Sequence, residues 1–190
     1  MIRLRPYKPC DAEAIVSWCH DVKTYRFWGG ELIGNYPLSA EDINEVYLDQ
    51  NGHCEEPDNF YPVTAVDDDV VVGAFIIHYI QGNPRMLRFG WVIVDSERRG
   101  EKIGQRMLKL GLKYAFEILG AEQVTIGVFE NNIAAYKCYL AVGFHQPSEL
   151  MDSYQEIDGE TWKVVELAVR KEEYADFKSI SSETIRLQSL

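Results

Sequence analysis

Arg98, Arg99 and Lys102 crowd one turn of a chain whose formal net charge is −11, and Gly100 and Gly104 are interleaved with them. An apolar run, MLRFGWVIV (86–94), leads into this turn and an amphipathic run leaves it. A strand that ends in such a turn and opens a helix is the outline of an anion site. The first helical amides have no partners of their own, and the helix dipole adds partial positive charge there. Glycines let a ligand approach the backbone, and the cations add to the field. The glycines are too few and too widely spaced for a dinucleotide fingerprint, and no GK[ST] follows Gly100 as a P-loop would need. A bare, solvated helix start is the alternative reading of the same residues.

The elements that must hold this turn can be read around it. IRLR (2–5) reads as a strand and residues 9–20 as a helix with Ala14, Ile15, Trp18 and Cys19 at helical spacing. Ser39 starts a second helix whose inner face carries Ile43, Val46 and Tyr47. FYPVTAV (60–66) and VVVGAFIIHYI (70–80) form a hairpin across Asp67, Asp68 and Asp69. After the turn, Ile103, Met107, Leu110, Tyr114 and Ile118 predict the apolar stripe of a four-turn helix that stops at Gly120. QVTIGVF (123–129) is the next strand, residues 131–141 a short helix, and Gly143-Phe144 the start of a further strand. Asp158-Gly159 marks a hairpin between SYQEI and ETWKVVELAV. The order predicts an α/β fold with a mixed, largely antiparallel central sheet of about six to seven strands, flanked by about four helices. Residues 1–170 are expected to form a single domain. The polar tail, 171–190, is left open as helix, swapped segment or disorder.

Composition narrows the function classes. The 190 residues are 46% hydrophobic and 26% charged, and they contain no run near the ~20 apolar residues that span a bilayer. The N-terminus lacks the apolar stretch of a signal peptide, so a cytoplasmic protein without a membrane partner is expected. The acidic balance argues against a nucleic-acid partner. Cys10, Cys19, Cys54 and Cys138 show no metal-ligand spacing and are read as free thiols.

At the level of motifs, the chain resembles the GNAT superfamily of acetyl-CoA-dependent N-acetyltransferases. Their best-marked segment follows a strand, opens a helix, and runs Gln or Arg, two residues, Gly, one residue, Gly or Ala. Arg99-Gly100-Glu101-Lys102-Ile103-Gly104 is similar to it, with Lys102 where the family usually has its first motif glycine. A lysine fits that place if its backbone keeps φ below zero. The second motif, NxxAxxxYxxxGF, is matched by Asn132, Ala135, Tyr139, Gly143 and Phe144. The resemblance covers roughly residues 60–170.

The resemblance implies direct transfer of acetyl from acetyl-CoA to a primary amine. By family analogy, backbone groups of Val92 and Val94 would hold pantetheine. The amides of Gly100, Glu101, Lys102, Ile103, Gly104 and Gln105, next to Arg99, would bind pyrophosphate. Asn132 would contact the cofactor near its pantetheine arm. Tyr139 would protonate the leaving thiolate, a transfer uphill by about 2 kcal/mol from phenol to thiol. A core aromatic is the alternative for Tyr139. The proton of the attacking amine needs an acceptor, because at pH 7 a primary amine is neutral only about once in 2500, equivalent to ~4.6 kcal/mol. Many family members use glutamates for this. Here the comparable places hold Arg88 and Gly127, and no base is named. Relay through water to Glu130, His78 or Glu31 is open.

Tyr25, Phe27 and Trp28, in TYRFWGGELIGNY (24–36), stand between predicted helices and could bind a cationic amine or simply pack on the core. The glycine at 127 favours a small amine over a protein N-terminus as acceptor. A non-catalytic acyl-CoA-binding module is the alternative function, and an interaction domain without cofactor is the third. A homodimer is compatible with all three.

Overall fold

The computed structural model describes residues 1–56 and 58–174. Seven strands, β1 (Ile2–Pro6), β2 (Phe60–Asp67), β3 (Val70–Ile80), β4 (Asn83–Val94), β5 (Gln123–Phe129), β6 (Ser153–Ile157) and β7 (Glu160–Arg170), form one sheet in the order β1-β2-β3-β4-β5-β7-β6. Every neighbouring pair is antiparallel except β4–β5. Five α-helices cover it among the described residues: α1 (Ala12–Trp18), α2 (Val22–Trp28), α3 (Ala40–Asn44), α4 (Ile103–Lys113) and α5 (Ile133–Val142). Both α3 and α4 run on through one wider, π-type turn, Glu45–Asp49 and Tyr114–Ile118. No helix among the described residues is long and apolar enough to cross a membrane.

The sheet is buried on both faces, which explains why β3 reads as an unbroken apolar run rather than an alternating one. Phe75 and Ile77 of β3 join Leu87 and Phe89 of β4 under α4 and α5. Ala74 and Ile76, one residue out of phase, face Ile15, Trp18, Trp28, Ile43 and Tyr47 from α1, α2 and the α3 segment. The start of α3 follows from its cap: the Asp42 amide donates to Ser39 Oγ at 3.2 Å, and the Ser39 amide donates back to Asp42 Oδ2 at 2.7 Å. The acidic hairpin turn forms at Asp68 and Asp69, both at positive φ (47° and 68°), as a two-residue turn requires.

Three expectations need correcting. The stripe through Leu110, Tyr114 and Ile118 is not the buried face of α4, since Tyr114 is 44% and Ile118 70% exposed. Ile103, Met107, Leu108, Gly111, Leu112, Ala115 and Phe116 are buried instead, a face turned roughly a quarter-turn from the stripe. Small residues explain the difference. A Cβ on Gly111 would lie 2.9 Å from Phe75 and 3.1 Å from Phe89, so the helix lies against the sheet where it has no side chain. Gly143-Phe144 starts no strand: Gly143 ends α5 at φ 112°, and His145 makes a single bridge to Ala168. Residues 24–28, read as lying between helices, belong to α2, which Asp21 caps by accepting from the Thr24 amide at 2.7 Å. Of the tail, residues 171–174 form a helical turn whose Tyr174 ring lies 5.0 Å from that of Phe116. Residues 175–190 lie outside the described residues.

Lys102 also departs from expectation. It precedes α4 with φ 60° and ψ 23°, in the left-handed region rather than at negative φ. That conformation costs an L-residue about 1–2 kcal/mol, more than glycine's extra chain entropy of about 0.5–1 kcal/mol. Lys102→Gly is therefore expected to raise stability by roughly 0.5–1 kcal/mol in urea titrations while leaving acetyl-CoA affinity equal or better. A loss of stability would show that the lysine side chain anchors the turn.

Asp11 ties the first strand to the first helix. Its carboxylate, 1% exposed, accepts from Arg5 Nη1 and Nη2 (2.6 and 2.7 Å), the Lys8 amide (2.9 Å) and the Thr64 hydroxyl (2.8 Å). Burial alone would raise its pKa, but Arg5 and the other donors together hold the carboxyl below its ordinary value of 3.8. A depressed carboxylate adds stability that is present above the unfolded pKa and lost as pH falls through the folded one. Asp11→Ala should cost about 3 kcal/mol, by leaving Arg5 unpaired, and should flatten the loss of stability below pH 4 in acid titrations.

Candidate active site

The parallel pairing of β4 with β5 is short. It runs from Met86 opposite Gln123 to Phe89 opposite Ile126, whereas β4 continues to Val94 along β3. Between the pairs Ala74–Ile93 and Ile76–Gly90, two residues of β4, Trp91 and Val92, oppose Phe75 alone. This is a β-bulge, and Trp91 takes φ 43° within it. Beyond Phe89, the edge of β4 that faces β5 therefore has no strand partner. Val92 and Val94 lie on this length, their side chains half-buried against the core under α4 and α5.

A cavity of about 360 Å³ opens at the same split. Tyr139 and Asn132 line it from the α5 side, and Trp28, Phe60, His78, Arg88 and Trp91 line it from the other. Tyr139 is 6% exposed, and its hydroxyl makes no hydrogen bond among the described residues. Burial pushes its pKa far above the ordinary phenol value, so the hydroxyl stays protonated across neutral pH but is a weaker acid than a free phenol. Asn132 caps α5, its Oδ1 accepting from the Ala135 amide at 3.3 Å. That bond occupies the side-chain oxygen and makes the residue part of the scaffold as well as of the wall.

The turn after β4 is arranged unevenly. Arg98 is committed to protein contacts, donating to Asp67 at 3.0 Å and to Glu101 at 2.7 Å. Glu101, expected to lend its amide to an anion, is instead engaged within the turn: its carboxylate accepts from Arg98, its amide donates to the Arg98 carbonyl at 3.4 Å, and its carbonyl accepts from Arg106 at 3.3 Å. Arg99 and Lys102 are exposed and make no ion pair among the described residues. Gly100 sits at φ 89° with open space where a Cβ would be. Gly104 is different: a Cβ there would be 3.3 Å from Cys138 and 3.5 Å from Val94, so this glycine lets α4 approach α5 and the end of β4. No side chain caps α4, so the amides of Ile103, Gly104 and Gln105 open its first turn without a protein acceptor. Along the chain, the unpaired β4 edge, the turn and this helix start are continuous.

The places where the family resemblance expects glutamate are filled differently. Arg88 donates to Glu166 of β7 at 2.7 and 2.9 Å, a bidentate pair in which Arg88 is 30% and Glu166 14% exposed. A Cβ on Gly127 would lie 2.5 Å from Arg88 Nη2, so glycine makes room for the guanidinium. His78 is the register partner of Arg88 on β3, on the same face of the sheet. Burial, and then the Arg88 charge, hold its pKa below the ordinary 6.5, against a smaller upward pull from a hydrogen bond with the Tyr79 backbone. It is therefore neutral at pH 7. The other titratable groups around it are His53, Cys54 and Tyr139 on the cavity wall, with Glu166 behind Arg88. Of the relay candidates, His78 lines the cavity; Glu130 and Glu31 do not, and Glu130 pairs with Lys163 at 3.5 Å.

The aromatic segment divides. Tyr25 packs in the core and donates to the Gly34 carbonyl at 2.7 Å, whereas Phe27 and Trp28 line the cavity. Sequence reasoning did not single out Phe60, Trp91 or Glu166. A bulge has no strong local signature, and the single hint was Gly90 beside a tryptophan in an otherwise β-rich run.

Comparison with known proteins bears on this geometry. Residues 2–145 match the acetyltransferase (GNAT) domain family. Over 74 residues the chain is 31% identical to the spermine/spermidine N(1)-acetyltransferase of Bacillus subtilis, a match spanning 39% of this chain and 45% of that protein. The crystal structure of spermidine N-acetyltransferase from Vibrio cholerae in complex with CoA and spermine is similar in fold, with a TM-score of 0.73 at 19% identity, covering 92% of this chain and 98% of that one. An aminoglycoside acetyltransferase in complex with coenzyme A gives a TM-score of 0.73 at 13% identity, covering 94% and 99%. With more than half of its length matched to the family, the chain belongs to the GNAT acetyltransferases.

Proposed function

We propose that the chain is an N-acetyltransferase that moves an acetyl group from acetyl-CoA directly to the primary amine of a small molecule. The observation that supports this best is the continuity of three features: the unpaired edge of β4, the uncapped start of α4, and the cavity holding Tyr139 at the split. Each suits one part of an elongated acyl donor. The β4 backbone from Val92 to Val94 offers strand-like hydrogen bonds to the pantetheine amides. The amides of Gly100 and of Lys102 through Gln105, beside the Arg99 side chain, offer a pyrophosphate cradle. Asn132 stands on the wall near the pantetheine end. The four free cysteines and the match to this family fit a cytoplasmic enzyme.

Acetyl-CoA, when bound, supplies the acetyl thioester. The cavity orients the amine towards it, and backbone amides past the bulge polarise the carbonyl. An amide bond forms as the carbon–sulfur bond breaks. Tyr139 gives its proton to the departing sulfur, and the phenolate takes one back from solvent. His78 accepts the proton released by the amine through water, its neutrality at pH 7 making it competent to do so.

Coenzyme A release against a panel of monoamines, polyamines, aminoglycosides and short peptides tests the reading. Tyr139→Phe should lower kcat by about 10²-fold or more with little change in acetyl-CoA affinity. Equal losses in both would remove Tyr139 from the acid role. Acetyl-CoA binding with no release from any amine would favour a non-catalytic acyl-CoA-binding module instead.

His78 supplies a pH signature. Because its pKa is lowered and the neutral form accepts the proton, kcat/KM should fall as pH drops through a value below 6.5. His78→Gln should lose that acid limb along with about 10²-fold in kcat. An unchanged pH profile would exclude His78 as acceptor.

A further inference from the structure

The hydrogen bonds inside the turn after β4 recur at every third residue. The Asp95 amide donates to the Val72 carbonyl of β3 at 3.0 Å, and the Asp95 carboxylate accepts from the Glu97 amide at 3.0 Å. The Arg98 amide donates to the Asp95 carbonyl at 3.1 Å, and the Glu101 amide donates in turn to the Arg98 carbonyl at 3.4 Å. Helix α4 reaches back to the same residue, Arg106 donating to the Glu101 carbonyl at 3.3 Å. The Arg98 side chain completes the set. Its Nη2 donates to Asp67 Oδ2 at 3.0 Å and to Glu101 Oε2 at 2.7 Å, and its Nε donates to the same Glu101 oxygen at 3.1 Å. Asp67 is the last residue of β2, so one guanidinium ties the end of that strand to the turn. Interleaved with the tied residues are Arg99, Gly100 and Lys102, all exposed.

Attraction of an anion does not explain this arrangement. Arg98 and its two carboxylates together carry a net negative charge, which would repel a phosphate at the turn. Backbone conformation does explain it. Gly100 at φ 89° and Lys102 at φ 60° both lie in the left-handed region, on either side of Glu101. An L-residue leaves that region unless its surroundings hold it there. Glu101, between the two, is held by its carboxylate, its amide and its carbonyl, and Arg98 is the partner of the first two. The brace is also partly shielded from solvent, with the Arg98 side chain 28% and that of Asp67 17% exposed, so salt screens it less than a surface pair. A turn anchored in this way presents its free amides already oriented, and a ligand does not have to order them on binding.

Resting on the reading of this turn as the pyrophosphate cradle, we propose that Arg98 is a positioning residue for the cofactor: braced against Asp67 and Glu101, it fixes the backbone at Gly100 and Lys102 and touches no phosphate itself. The two adjacent arginines thereby divide their roles. Arg98 turns inward and holds the turn in shape, whereas Arg99, exposed and without an ion pair among the described residues, offers its charge to the ligand.

Binding of two donors tests this without any acceptor amine: acetyl-CoA, read by calorimetry, and acetyl-pantetheine, which lacks the pyrophosphate, read by ligand-observed NMR. Arg98→Met should weaken acetyl-CoA binding about tenfold or more and leave acetyl-pantetheine within about twofold. Arg98→Lys should recover part of the loss. Asp67→Asn and Glu101→Gln then separate a brace from a phosphate ligand. Each removes a negative charge near the turn and loosens Arg98, so charge alone, or an Arg98 that reaches phosphate, predicts tighter acetyl-CoA binding. Loss of a brace predicts the opposite, binding about threefold weaker in each variant, again with acetyl-pantetheine unaffected. Tighter or unchanged acetyl-CoA binding in either variant would overturn the proposal. If Arg98→Met misfolds, these two variants still decide. An unaltered protein that binds acetyl-CoA no better than acetyl-pantetheine would refute the cradle itself, and the brace with it. A preference for acetyl-CoA kept in full by every variant would refute the brace alone.

Discussion

Two neighbouring strands in the middle of a sheet stop pairing after four residues, and the rest of the molecule is organised around that interruption. From Gly90 onward the edge of β4 that faces β5 is without a ladder, although β3 still pairs its other edge. Backbone amides and carbonyls inside a fold are nearly always satisfied, and one left without any partner costs about 1–3 kcal/mol. The gap must therefore take up water or a ligand with alternating donors and acceptors. An extended amide chain is the kind of ligand whose own hydrogen-bonding pattern complements such an edge. The bulge at Trp91 produces this edge at the cost of one residue held at positive φ.

An interrupted sheet survives because each side of it is packed independently. Below, α4 and α5 bury Phe75, Phe89 and Leu167 with the aliphatic residues of β5. Above, α1, α2 and α3 bury Trp18, Trp28 and Tyr47 against Ala74 and Ile76. Burying side chains of this size contributes about 1.5–3 kcal/mol each, so both clusters outweigh the ladder lost at the split. The β6–β7 hairpin is tied to α2 through the Arg26–Asp158 ion pair and the contact of Phe27 with Trp162. Those contacts join the far wall of the cavity to the near one.

Much of this was legible in the residues. Hairpins at Asp67–Asp69 and Asp158-Gly159, the capped helix at Ser39 and the glycine-marked turn at 99–104 depend on local chemistry, and local chemistry is what a sequence displays. What was not legible depends on neighbours distant in the chain. The buried face of α4 is set by Phe75 and Phe89 pressing on Gly111, and the large residues of the helix alone point a quarter-turn away. Helix α2 is seven residues long, with a tyrosine, a phenylalanine and a tryptophan, so propensity alone does not announce it. Lys102 at positive φ and Trp91 in the bulge are departures from local preference, and such departures cluster where a site demands a particular backbone.

Arg88 is the clearest case of meaning hidden in a pair. Alone, an arginine at a place associated with glutamate reads as the loss of a proton acceptor. With Glu166 reaching across from β7 and Gly127 leaving space between them, it is a neutralised, half-buried pair that alters its surroundings. Its charge helps to keep His78 uncharged, and a neutral imidazole accepts protons where an imidazolium cannot. One substitution of type, read with its partner, is thereby coupled to the protonation of His78. That coupling follows from the electrostatics of a half-buried site, where a charge affects each group facing it and solvent screens little of the effect.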